Sequence, residues 1–421
     1  MKYYLFLTTL IRNIGGGHIY TLNKTKYLQR LGYDVGFFHA DVRHGEIIIK
    51  DLLPYEYNCD NHLQYPTYFF RRKTQEQVIS SICNLIPKTC NEIIIESQTL
   101  ICSTWGELLA KRLNAKHIIY LLSENHYIRN RSLYFFFRFK LARRELTGIV
   151  KKSLPILFKG WQTITEKESY SLTARSANVL ADIPYPEIQS IPQSDYTIGS
   201  IGRIDKLFLI ESLKKIVDFI KLHPEKTFTI LLIGDSSEKS TKNSIKKIFD
   251  GLSNVKIFIT GLIYPIPVEL VLMPDVFISA AGACHVSNSL GKVTISIDAN
   301  DFKPIGIIGK TTNNTLFRGN EPEVSLHELL EAILIKKEYK SEIVEWNQIN
   351  YDYTDHLDFV RQSDNSKQYF DISTAKLSLR DWIEKICLLI FGRTLYPKIM
   401  RILSPLWMKF KKVDTNPAIG K

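Results

Sequence analysis

The chain has 421 residues, 45% hydrophobic and 23% charged, with a formal net charge of +12. That length suits two or three domains with real cores, and charge at ordinary globular levels excludes a disordered chain. The six cysteines (Cys59, Cys83, Cys90, Cys102, Cys284, Cys387) form no C-x-x-C pair and no zinc-finger spacing, which points to free thiols in a reducing compartment.

The opening MKYYLFLTTLIRNIGGGH has only a short apolar run and no small-residue cleavage pattern, so it reads as a first strand and not a signal peptide. No stretch approaches the roughly 18 apolar residues of a spanning helix. The expected location is the cytoplasm, with room for peripheral attachment to the inner face of the cell membrane. After the glycine turn, IYTLNKTKYLQRLGYDVGFF reads as a helix ending at Gly32 and then a second strand. NEIIIES (91–97) suits a buried parallel strand. TWGELLAKRLNA is a helix, KHIIYLLSENH a strand with a polar end, and a basic aromatic helix follows. This alternation predicts an open parallel α/β domain over 1–185.

ADIPYPEIQSIPQSDY (181–196) holds three prolines and no periodicity, so 186–196 is the expected linker. The alternation then restarts. YTIGSIGR, KTFTILLIGDS, NVKIFITGLI, PDVFISAAGA and KVTISID read as strands, with helices at LFLIESLKKIVDFIKLH, STKNSIKKIFDGL and SLHELLEAILIKK. The second domain is expected over 197–375 and a basic amphipathic extension over 376–421. Ligands of such sheets bind at the carboxyl ends of the strands, so two facing domains would form a cleft.

Charge is localised. Residues 129–152 carry eight basic residues and one acid, residues 382–412 carry seven and one, and both segments are rich in aromatic and aliphatic side chains. That pattern suits an anionic lipid surface, with Arg138, Lys140, Arg143, Arg144, Trp407 and Lys409 as the expected contacts. Nucleic acid would call for a broader basic field and a recognisable module, and none is present. A solvated basic helix face is the simpler alternative.

Several short motifs bear on chemistry. Gly16 and Gly17 in GGGH lie between a strand and a helix, where the backbone can approach an anion; a tight turn explains them equally well. In GRIDK, Arg203 can fork two hydrogen bonds to phosphate and Lys206 adds a mobile charge. Cations at a helix amino end conflict with the dipole unless an anion is bound there. SAAGACHVSNSLG (279–291) follows an apolar strand and offers backbone N–H groups as an anion nest, a close-packed turn being the alternative. PIGIIGKTT (304–312) is not a P-loop, because Pro304 replaces the first glycine and no helix follows. His126, at a strand's carboxyl end two residues after Glu124, is a candidate for contact with an acceptor or transferred group; a capping or core role is its alternative. His18 and His285 have less support. No D-x-D, H-E-x-x-H or G-x-S-x-G occurs, and no metal is expected.

The order of GGGH, LGYDV, the proline-rich linker, SIGRIDK, LLIGDS, NVKIFITGLI, PDVFISAAG and KVTISID resembles the two-domain glycosyltransferases of the GT-B fold, retaining family 4-like, of bacterial surface polysaccharide synthesis. The resemblance spans residues 1 to about 340. It implies two facing Rossmann-like domains, with a C-terminal helix that returns to the first. It also implies transfer from a nucleotide-diphosphate sugar to a saccharide or lipid-linked acceptor, with retention and without metal or other cofactor. By this resemblance Arg203, Lys206, Gly16, Gly17, Ser279, Gly282 and Ala283 lie on the diphosphate. Gly202, Gly234, Asp235, Gly261, Ser287 and Asn288 lie around the nucleotide and sugar. The family's lysine five residues after the arginine is Phe208 here, leaving Lys206 as the nearby substitute. The family's E-x(7)-E pair is absent, since no acid stands between Asp275 and Asp298. A nucleotide-sugar epimerase of similar build, or a non-catalytic relative that binds sugar nucleotide or scaffolds a synthesis complex, are the other readings.

Overall fold

The computed structural model describes residues 1–8, 14–40, 49–59, 61–123, 126–128, 130–236, 239–342, 344, 351–364, 366–372 and 375–410. Contacts divide the chain into two units, residues 1–13, 21–174 and 351–421, and residues 14–20 and 175–350.

The first unit alternates strands and helices from its start. They are β1 (Lys2–Leu7), α1 (Gly16–Arg30, whose first residues up to Tyr20 belong to the second unit), β2 (Tyr33–His39), β3 (Glu56–Asn58), α2 (Arg72–Cys83), β4 (Glu92–Ser97), α3 (Leu100–Leu113), β5 (Lys116–Leu121), α4 (Arg131–Ala142), β6 (Leu146–Gly148) and α5 (Ser153–Leu157). The strands pair in the order β3-β2-β1-β4-β5-β6, all parallel. Both faces are covered by helices, which is why β1 and β5 read as continuous apolar runs and not as alternation.

The second unit holds β7 (Leu180–Ala181), β8 (Tyr196–Ile201), α6 (Leu207–Leu222), β9 (Phe228–Ile233), α7 (Lys239–Ile248), β10 (Val255–Ile259), β11 (Ile266–Pro267), α8 (Val268–Leu272), β12 (Val276–Ser279), α9 (Gly282–Asn288), β13 (Thr294–Ile297), β14 (Pro304–Ile307) and α10 (Leu326–Leu330). Its main sheet runs β10-β9-β8-β12-β13-β14, parallel except at β14. The two-residue strands β7 and β11 pair separately. Both six-stranded sheets therefore follow the Rossmann order. The chain reverses direction across the sheet beside β1 and again beside β8.

The chain then returns to the first unit with α11 (Thr354–Gln362) and α12 (Leu379–Phe410), the latter broken at Gly392. The expected boundary at 186–196 thus falls inside the second unit, and residues 351–372, expected in the second domain, pack on the first. Hydrogen bonds and charges hold them there. Lys116 Nζ donates to Val360 O at 2.7 Å, Arg143 pairs with Asp364 at 3.0 Å, and the Phe370 N–H donates to Glu107 at 2.7 Å.

The same charges correct two expectations about the membrane. Lys140 is only 1% exposed and pairs with Glu107 at 2.5 Å and Glu145 at 2.9 Å. Arg143 is 8% exposed and pairs with Glu145 and Asp364. Neither can reach a lipid surface, because each lies on the core side of α4 or its end with its charge already paired. Arg138 and Arg144 are exposed, the latter over the Tyr170 ring at 5.1 Å. The side chains of Trp407 and Lys409 lie outside the described residues.

Two buried charge clusters tie this unit together. Lys24 Nζ lies 2.6 Å from Glu96 and 2.8 Å from the Tyr4 hydroxyl, joining α1 to β4 and β1. His117 on β5 lies 2.8 Å from Glu107 on α3 and 2.9 Å from Ser97 Oγ on β4. Burial, with Lys140 nearby, pushes the His117 pKa down. Burial pushes Glu107 up, but Lys140 and His117 outweigh it and hold the carboxyl well below its usual range. Both folded values are depressed, so both groups stabilise the fold above their unfolded values of 6.5 and 4.5 and lose that contribution as pH falls through the folded ones. The melting temperature of the first unit should therefore fall as pH is lowered below about 6.5. Thermal unfolding of wild type and His117→Gln across that window should show a shallower slope in the variant.

Candidate functional site

The carboxyl ends of β8, β9 and β10 carry the three sequence-predicted glycine turns. β8 ends at Ile201 and is followed by Gly202 and Arg203. β9 ends at Ile233 and is followed by Gly234 and Asp235. β10 is followed by Thr260 and Gly261. These turns are knitted by backbone bonds: Gly202 N donates to Ile233 O at 3.0 Å and Ile204 N to Asp235 O at 3.1 Å. Gly234 N donates to Thr260 Oγ1 at 3.1 Å. Gly234 has a φ of +154°, and a Cβ there would stand 1.8 Å from the Gly202 carbonyl oxygen. Only glycine allows the two turns to close in this way.

Arg203 stands beyond this contact with its side chain 53% exposed. Its Nε is 3.3 Å from Asp205 Oδ1, an ion pair without hydrogen-bond alignment. Lys206 is exposed at the amino end of α6. Asp235 is fixed by the Ser236 N–H at 2.7 Å and by Lys242 on α7 at 2.9 Å. Lys242 was not singled out from sequence. The available signal was its place in the first turn of the helix that follows β9, since such helices begin over the strand ends.

On the other side of β8 the small-residue loop follows β12. Ser279 is fully buried, and its hydroxyl has no hydrogen-bond partner among the described residues. Ala281 holds a φ of +53°, and its N–H is clamped on Thr315 O at 2.6 Å. A non-glycine residue held there costs on the order of 1–3 kcal/mol, a strain that tends to collect at ligand sites. Gly282 and Ala283 then open α9. A Cβ at Gly282 would lie 2.9 Å from Ser176 O, and one at Gly16 would lie 3.2 Å from Ser176 Oγ. The first glycine turn and the loop after β12 thus converge on Ser176, a residue that no sequence signal marked. Gly17 follows Gly16 in the first turn of α1.

Other predicted residues lie elsewhere. Ser287 is fully buried and its hydroxyl is spent on Thr294 Oγ1 at 2.7 Å, so it serves the core of α9 and β13 and offers nothing to a sugar. Asn288 is exposed one residue further on. His126 is half-buried in the first unit, five residues past the end of β5, so the strand stops earlier than its sequence suggested. Glu124 lies outside the described residues. Among the described residues, no group of three or more His, Cys, Asp or Glu side chains could hold a metal ion.

No protein-family model matches the chain, and no curated protein matches it in sequence. Solved structures do match. A glycosyltransferase from Rickettsia africae superposes with a TM-score of 0.56 at 18% identity, covering 79% of this chain and 88% of that one. HepE from Anabaena, in complex with UDP and glucose, gives 0.53 at 12% identity, covering 80% of this chain and 91% of that one. The same protein with UDP-glucose gives 0.52 at 13% identity over 89% and 97% of the two chains. The fold is GT-B. Within that GT-B fold the Gly202–Gly234 contact closes the carboxyl ends of β8 and β9, next to the switch point between β8 and β12; ligands of open α/β sheets bind outside the carboxyl ends of the strands at such a point.

Because Gly234 has no space for a side chain, Gly234→Ala must push the β8 and β9 turns apart. The variant should lower the melting temperature of the second unit. Arg203→Ala, at an exposed position, should leave the melting temperature within about 1–2 °C of wild type. Differential scanning calorimetry of both variants checks the contrast.

Proposed function

We propose that this protein is a glycosyltransferase that moves a sugar, of hexose type, from a nucleotide-diphosphate sugar to a saccharide or lipid-linked saccharide acceptor in bacterial surface polysaccharide synthesis. The reading rests on one observation above all, an exposed arginine beside Asp205, set beyond two glycine turns at the carboxyl edge of a Rossmann sheet. HepE, whose fold this chain shares, is seen with UDP and glucose, so UDP is the first nucleotide to test.

As the glycosidic bond breaks, negative charge grows on the leaving diphosphate. Arg203 meets it with two parallel N–H donors, which stabilise charge where it develops and hold the group in one orientation. Lys206 adds a second positive charge. On the far side of β8, the N–H groups of Gly282 and Ala283 at the start of α9, after the strained turn at Ala281, are the candidate donors to the same anion. Lys242 neutralises Asp235, so that carboxylate does not repel the donor. Charge neutralisation by side chains and N–H groups requires no metal. The family 4-like resemblance implies retention at the anomeric carbon, and His126 is the candidate side chain on the acceptor side.

A second reading, a relative that binds sugar nucleotide without turnover, is favoured by the absence of any acid from 276 to 297 and by the burial of Ser287. Binding and turnover separate the two. A thermal-shift series with UDP, GDP, ADP and their sugars should raise the melting temperature with one base, by mass action. Arg203→Ala should weaken that nucleotide about tenfold or more, the usual loss for a charged hydrogen bond. Release of the nucleotide from its sugar in the presence of acceptor, unchanged by a chelator, is the result expected of the transferase. Binding without release supports the second reading, and no shift with any nucleotide overturns both.

A further inference from the structure

The first stretch of α12, before the break at Gly392, is turned inside out for a helix in water. Its acids face the protein: Asp381 is buried and accepts from the Ser378 N–H at 2.9 Å and from Asn130 Nδ2 at 2.8 Å, while Glu384 is buried and pairs with Arg380 at 2.7 Å. Its large apolar side chains face outward. Leu379, Trp382, Ile386, Leu389, Ile390 and Phe391 are each between 42% and 77% exposed. The first five follow a spacing of three, four, three and one, which places them along one side of the helix. The inward side, with Cys387 and Leu388, is already packed on the first unit. So many large apolar groups on one helix face form a patch of the kind that marks an interaction site.

Charge chooses the occupant. From 382 to 412 the sequence carries seven basic residues and one acid, and that acid is the buried Glu384. Lys385 lies 5.9 Å from the centre of the Trp382 ring, so a cation accompanies the aromatic anchor. A second copy of this chain would bring two strongly basic segments together, and their repulsion opposes a dimer through this face. An anionic lipid surface satisfies both features at once, taking the apolar side chains at the acyl boundary and the cations at the headgroups. Among the described residues, no helix is long and apolar enough to cross a membrane, which is consistent with a helix that lies in the interface.

We infer that residues 379–391 of α12 form a lipid-docking face that holds the first unit on an anionic membrane surface through Leu379, Trp382, Ile386, Leu389 and Ile390. This face adds a described apolar surface to the expected membrane contacts, and it does not depend on the donor reading. The test is co-sedimentation of the full chain with phosphatidylglycerol-containing vesicles and with pure phosphatidylcholine vesicles, beside a Leu389→Ser/Ile390→Ser variant. Wild type should bind the anionic vesicles, weaken in high salt, and bind phosphatidylcholine far less; the variant should lose about tenfold or more. Unchanged circular dichroism would show that the variant is folded, as expected for exposed positions. Wild type that stays in the supernatant, or a variant that binds as well as wild type, overturns the inference. So does a stable wild-type dimer that the variant converts to monomer, since the face would then be covered by a second copy.

Discussion

The second unit depends on a contact in which one turn leaves no space for a side chain in the next. The Gly202 carbonyl occupies the position that a Cβ on residue 234 would take. That closeness brings the ends of β8 and β9 together and sends Arg203 and Asp235 out from the same edge of the sheet. Asp235 is then restrained by Lys242 and the Ser236 N–H. On the far side of β8, the turn at Ala281 performs the same service for the loop after β12 with a strained alanine in place of a glycine. The shape of this edge is set by backbone geometry first and by side-chain charge second.

The first unit is held by charge buried in places where hydrocarbon would be the default. Lys24 with Glu96, and Glu107 with Lys140, His117 and Arg143's partner Glu145, link helices to the sheet and to the returning C-terminal segment. Such pairs cost desolvation, and losing one partner of a buried pair typically costs about 3–5 kcal/mol. Ser97, His117 and Glu107 stand at distances that would suit a nucleophile relay. All three are buried. A Cβ at Gly106 would come within 2.2 Å of Ser97 Oγ, so no substrate can approach the hydroxyl from that side. The three residues pin α3 against β4 and β5, and Glu107 also receives the Phe370 N–H. Their arrangement is structural, and it explains how a segment far along the chain finds the first unit.

Much of this architecture was legible in the sequence. The apolar runs of β1, β4, β5, β8, β9 and β12 bury on both faces, and such strands announce themselves without partners. The glycine turns after β8 and β9 were legible because glycine there answers a local backbone need. Short elements such as β3, β7 and β11 were not, because two or three residues carry no periodicity and form only when a neighbouring strand offers bonds. Charge misled for a related reason. A count over 129–152 treats Lys140 and Arg143 as free cations, but Glu107 and Asp364 neutralise them from far away in the sequence. Ser287 looked available for the same reason, its partner Thr294 lying on the next strand. Only the fold tells a spent polar group from an unspent one, and by that measure the buried Ser279 hydroxyl stands out.

The central claim is that a nucleotide diphosphate binds at the carboxyl edge of the second unit's sheet. Hydrogen–deuterium exchange with and without saturating UDP tests it most directly, because it locates the ligand without presuming turnover. Slowed exchange in the segments 200–206, 234–236 and 279–284, reduced in Arg203→Ala, is the expected result. Protection confined to the first unit, or to segments away from the β8 and β9 turns, would contradict it.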